Sequence, residues 1–69
     1  MASDNAYKLI EIVGTSSKGF ADAATTAVNR ASKTLHGLSW FEATEFRGSI
    51  KDGKIDQFQV KVKIAFKLD

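Results

Sequence analysis

A chain of 69 residues that contains no cysteine has few ways to hold itself together. A lone domain of this size buries only roughly 60% of the surface its unfolded chain exposes. Small domains compensate with disulfides, a structural metal or self-association. The absence of cysteine removes disulfides and thiolate zinc sites. His36 is the only histidine, so a histidine-rich metal cage is excluded as well. Self-association remains, and the expectation is a homo-oligomer of a single domain spanning 1–69.

The 43% hydrophobic and 26% charged content is ordinary for a globular domain. The apolar stretches are too short to span a membrane. Residues 1–6 are polar, lack the apolar run of a signal peptide and are expected to be flexible. A soluble, cytoplasmic protein follows as the expectation. The net charge is +2, and residues 1–50 carry five basic and five acidic side chains. Residues 51–69 carry five lysines against three aspartates, so the positive excess lies in the last segment. That excess is too small to argue for nucleic acid by itself.

Residues 7–13 are β-prone and end at Gly14. Tyr7, Leu9 and Val13 alternate with Ile10 and Ile12, so this strand has two apolar faces and wants cover on both. Thr15, Ser16 and Ser17 then offer helix N-caps. Phe20, Ala23, Ala24, Ala27, Val28, Ala31 and Leu35 recur at spacings of three and four, which predicts an amphipathic helix over about 18–36. Asp22 near its start and Arg30, Lys33 and His36 near its end suit the helix dipole, and Gly37 is the expected residue just past its C-terminus. A second strand is expected over about 39–51, a hairpin turn at Asp52-Gly53, and a third strand over about 55–68. On that third strand Val60, Val62, Ile64, Phe66 and Leu68 occupy one face. Gln57, Gln59, Lys61, Lys63 and Lys67 occupy the other.

The fold class is therefore α+β: a β-α-β-β unit whose three-stranded antiparallel sheet, in order 1-3-2, wraps one helix. A two-residue turn makes Lys51 face Lys54 and gives paired positions a constant sum. Phe41 then faces Ile64 and Ala43 faces Val62, under the helix. On the opposite face Trp40 meets Ala65, Glu42 meets Lys63, Thr44 meets Lys61 and Phe46 meets Gln59. A one-residue bulge would flip every later assignment. In this register Trp40 and Phe46 are exposed on the face away from the helix, which points to a partner surface or ligand site.

The residues show no convincing nucleophile–histidine constellation. His36 reads as a capping or solvent-exposed residue at a helix end. Gly14-Thr15-Ser16-Ser17 lacks the spacing of a phosphate loop and reads as a turn with an N-cap. The strand-three lysines read first as a solvated strand face, Arg47 as a surface arginine before Gly48, and Trp40 as packing.

In combination these pieces resemble the dodecin family. The resemblance rests on Ile10-Glu11-Ile12-Val13-Gly14-Thr15-Ser16, a helix carrying Arg30-Ala31, Trp40-Phe41-Glu42, Glu45-Phe46-Arg47-Gly48, Phe58-Gln59-Val60 and Phe66-Lys67-Leu68. It covers nearly all of the chain from Tyr7 to Leu68 and looks like the bacterial branch. It implies a hollow homododecamer that binds flavins in pairs between subunits and stores them rather than turning them over. Carried over, Trp40 matches a tryptophan that stacks on the flavin ring, Gln59 a glutamine that hydrogen-bonds its polar edge, and Arg47 an arginine near the flavin. FMN is the implied ligand, with riboflavin or FAD as variants. Coenzyme A is a further implied ligand, with Lys8, Arg30 and Lys67 as its phosphate contacts. Neither a nucleic acid nor a membrane is an expected partner. A flavin-dependent redox enzyme and a small basic binding module are the competing readings.

Along strand three, Ala65 and Gln59 lie six residues apart, roughly 20 Å at ~3.3 Å per residue. Trp40 and Gln59 thus share a face but cannot grip one ring within a single subunit. A site that uses both combines subunits.

Overall fold

The computed structural model describes residues 4–69. Its elements are β1 (Tyr7–Ser16), α1 (Phe20–Ser32), β2 (Leu38–Lys51) and β3 (Lys54–Lys67). The sheet is antiparallel throughout with order β1-β3-β2, as expected. The expectation of flexibility over residues 1–6 falls partly on residues 1–3, which lie outside the described residues. Ala6 is tied in place, because its carbonyl accepts a hydrogen bond from the Leu68 N–H at 2.9 Å.

Alternation decides which side of the sheet the helix covers. Val60, Val62 and Ile64 of β3 are fully buried with Ala23 and Ala27 of α1, and Ala31 closes the same core. Ile10 and Ile12 of β1 pack against this core from the side. Alanines at every fourth position let the helix backbone come close to the strands. The closest approach is at Gly14, where a Cβ would collide with the Ala23 carbonyl oxygen and lie 2.8 Å from the Ala27 Cβ.

That contact corrects one expectation. Gly14 does not end the first strand; it sits inside β1, which runs on to Ser16. The hydroxyls after it do not cap the helix either. Gly19 is the N-cap and makes no side-chain cap bond. Instead Ser16 Oγ donates to Asp22 Oδ2 at 2.7 Å and accepts from the Lys18 N–H at 2.8 Å, bracing the strand–helix turn. The helix is also shorter than the predicted 18–36. It ends at Ser32 with Lys33 as C-cap, and the chain turns back through Leu35, which still packs on the core. Gly37 is therefore not the residue after the helix. It sits at φ 72° in the connection to β2, where its carbonyl accepts from the Lys67 N–H at 3.1 Å. His36 is exposed in that connection.

The hairpin turn is as expected, with Lys51 opposite Lys54. Asp52 and Gly53 both have positive φ, 54° and 76°, the backbone that a tight two-residue hairpin needs. The hairpin arms extend well past the helix. The chain measures 57 × 21 × 15 Å with a radius of gyration of 14.5 Å. A compact chain of this length would have about 11 Å. Ile50 and Ile55, near the hairpin tip, are 75% and 63% exposed. No described helix is long and apolar enough to cross a membrane.

Candidate functional site

Two faces of the sheet differ in what they offer a ligand. The helix face of β1 and β3 is closed by α1. The outer face carries the side chains opposite to it, and the register arranges them in rows across the sheet. Leu9, Ala65 and Trp40 form one row; Glu11, Lys63 and Glu42 the next; then Val13, Lys61 and Glu45; then Thr15, Gln59 and Arg47.

The row at Ala65 is aromatic. Trp40 is half exposed, and its ring lies 4.8 Å from that of Tyr7, tilted by 57°. Ala65 lies between the strands that carry them and is fully buried, although it faces away from the helix. A small side chain there lets the two rings meet across β3. The result is an indole with one flank supported by Tyr7 and a large π surface left open. Tyr7 was legible in the sequence only as an apolar strand residue; its place beside Trp40 depends on a β1–β3 register that no local signal sets.

Gln59 lies on the same face and is half-buried. Its neighbour on β2 is Arg47, not the expected Phe46. The constant-sum register holds from Lys51 to Ile50 and again from Ala43 to Trp40, but the segment Glu45–Ser49 is displaced by one residue. The ladder is irregular at Ser49/Ile50, where Asp56 is the extra residue on β3. It is irregular again at Ala43/Glu45, where Thr44 is the extra residue on β2, and at Leu38/Trp40. Between the first two irregularities every side chain of β2 changes face. Phe46 therefore pairs with Val60 and turns toward the helix side. There its ring meets Phe20 edge-on at 5.4 Å, and Phe20 meets Phe58 at 5.0 Å. Thr44 no longer pairs with Lys61; Glu45 does.

The polar rows are linked. Lys61 Nζ lies 3.5 Å from Glu11 Oε2 and 3.7 Å from Glu45 Oε2, and Glu45 also accepts a hydrogen bond from Arg47. The chain of charges crosses all three strands and balances two cations against two anions. Glu11, Glu45 and Arg47 are about half exposed, so the links contribute little to stability.

Trp40, Gln59 and Arg47 thus share one face, with Arg47 and Gln59 adjacent and Trp40 roughly 20 Å away along β3. Lys8, Arg30 and Lys67 are not brought together within one chain. Lys8 pairs with Phe66 on the helix side, whereas Lys67 pairs with Tyr7 on the outer face. Arg30 lines a cavity of about 450 Å³ between α1 and β1, with Thr26 and Thr34. A second, more apolar groove of about 580 Å³ runs between α1 and β2, lined by Phe20, Val28, Phe41 and Phe46 among others.

Taken together, fold and surface define a small α+β module that leaves large apolar side chains exposed, among them Trp40, Phe41, Phe46, Ile50 and Ile55. The dodecin family model matches residues 6–69, and the chain belongs to that family. It is 43% identical over 63 residues to the dodecin of Thermus thermophilus, covering 91% of each chain. Among solved structures, it is similar to dodecin from Streptomyces coelicolor with a TM-score of 0.93 and 46% identity, over 99% of this chain and 97% of that one. Dodecin from Streptomyces davaonensis gives a TM-score of 0.92 and 48% identity, over 97% of this chain and 98% of that one. Family membership supports a small flavin-binding protein that forms oligomers.

Proposed function

We propose that this protein binds FMN non-covalently between the subunits of a homododecamer, and that it stores and buffers flavin rather than catalysing a reaction with it. The observation that carries this reading is the outer face of the sheet. Trp40 presents an open indole supported by Tyr7, and Gln59 and Arg47 stand together further along the same face. An isoalloxazine is flat and apolar over its rings and polar along one edge. An indole matches the first property, and an amide that both donates and accepts matches the second. The residues fit the group in kind, but one chain holds them too far apart for a single ring. Trp40 of one subunit and Gln59 of another would complete the site.

Arg47 supplies positive charge for an anionic flavin, which favours FMN over riboflavin. Glu45 tempers that charge without removing it. Trp40 would also protect: an electron-rich indole in stacking contact donates an electron to the excited flavin and receives it back, which returns the flavin to its ground state. Coenzyme A is a second ligand class for the basic positions Lys8, Arg30 and Lys67. Their separation in one chain means that different subunits would provide its contacts. The pairing of Lys61 with two carboxylates weakens the reading of strand three as a nucleic-acid surface. A cytoplasmic location accords with the binding of a soluble coenzyme.

Titration of FMN with the purified protein tests the reading. Loss of FMN fluorescence at submicromolar concentration, with release on unfolding, is the expected result. Unchanged fluorescence together with unchanged FMN absorption would reject it.

A further inference from the structure

The displaced segment Glu45–Ser49 has a consequence for the ligand site. In an unbroken ladder Phe46 would stand beside Gln59, and Arg47 would point to the helix side. The two irregularities exchange them. Each is marked by a hydroxyl. Thr44 Oγ1 donates to the Lys61 carbonyl at 3.2 Å, and Ser49 Oγ accepts from the Gln57 N–H at 3.1 Å. These bonds occupy backbone groups of β3 next to the places where the ladder slips. Buried or half-buried backbone groups need partners, and a bulge removes some of those that a regular ladder provides. Phe46 contributes on the other side of the sheet, because the displaced register gives it Phe20 as a neighbour.

We propose that Thr44 and Ser49 are positioning residues for the flavin site: their hydroxyls hold a one-residue register shift over Glu45–Ser49 that places Arg47 beside Gln59 and takes Phe46 off the binding face. This rests on the flavin-binding reading for its ligand, but the register itself can be read without one. Neither residue needs to touch the flavin. Their effect is to choose which of two β2 side chains accompanies Gln59.

The test compares Thr44→Val and the double variant Thr44→Val/Ser49→Ala with the hydroxyl-preserving Thr44→Ser. Crystal structures report the register, and FMN titrations report the site. Each lost hydrogen bond shifts the balance between registers by roughly fivefold. In the double variant, two lost bonds shift that balance by roughly 25-fold toward Phe46 opposite Gln59, and the FMN affinity is expected to fall by up to about the same factor. Thr44→Ser is expected to restore both the Arg47–Gln59 pairing and the affinity. If the double variant does not fold, Thr44→Val alone decides, with a smaller loss in the same direction. Retention of Arg47 beside Gln59 with undiminished affinity, or failure of serine to rescue, overturns the proposal. Absence of FMN binding by the unaltered protein would instead reject the functional reading, and the crystallographic register would still judge this one.

Discussion

The two faces of this sheet are built from the same three strands and, over β1 and β3, have opposite characters; over β2 the helix side leaves Phe41 and Phe46 more than half exposed. Toward the helix, small and β-branched side chains close to a dry core: Ala23, Ala27, Val60 and Val62 are buried to 2% exposure or less. Away from the helix, Trp40, Leu9 and Val13 remain about half exposed among glutamates, lysines and Gln59. The first face holds the fold; the second is left for what lies outside the chain. The lesson is that a short chain need not be finished on both sides. It spends its one helix on part of one face and leaves the rest of its apolar side chains open, where the proposed function sets copies of the chain and a ligand.

The largest expected effect breaks the closed face. Gly14→Ala places a methyl against the Ala23 carbonyl and the Ala27 side chain, both on the helix that must stay close. Backbone has to move, and urea unfolding is expected to show a loss of about 3 kcal/mol or more. A trimmed open face behaves differently. Trp40→Ala leaves the helix-side core intact and loses only the Tyr7 contact and the cover over Ala65, so it should cost clearly less stability than Gly14→Ala. Its FMN affinity should fall by about 1–3 kcal/mol, the range for aromatic stacking on a flat base. Time-resolved fluorescence of any FMN still bound to that variant should show a longer lifetime. An equal stability loss in Trp40→Ala and Gly14→Ala would erase the distinction between the faces.

A milder change sharpens the comparison. Ile64→Val removes one methylene from a side chain that is 1% exposed. It should cost about 1 kcal/mol of stability with FMN affinity unchanged. The smallest effect belongs to the outer-face charges. Lys61→Gln should cost at most about 1 kcal/mol, less in high salt, because its carboxylate partners are half exposed.

Much of this was legible in the residues themselves. The alternation of Val60, Val62 and Ile64 with Lys61 and Lys63 separated the faces of β3, and the positive-φ demand of Asp52-Gly53 set the hairpin turn. Strand order followed from chain order, a single hairpin and an antiparallel pairing of the first strand. The resemblance to a family singled out Trp40, Gln59 and Arg47 as candidate flavin contacts, and alternation placed Trp40 and Gln59 on one face, as in the structure. The register near the site was not legible. Alternation is a local signal, and a bulge replaces it with a balance between tertiary terms: the packing of Phe46 on Phe20, and the hydroxyl bonds of Thr44 and Ser49. Nor could alternation show that Gly14 marks a helix contact rather than a strand end. Its reason lies in the backbone of Ala23, on another element.

Native mass spectrometry of the protein purified from cells, before and after addition of FMN, bears most directly on the central claim that copies of this chain complete a flavin site on the open face. A twelve-subunit assembly that carries flavin mass, and loses it in Trp40→Ala without losing subunits, is the expected result. A monomer that takes up no flavin, or an assembly whose flavin content is indifferent to Trp40, would contradict it.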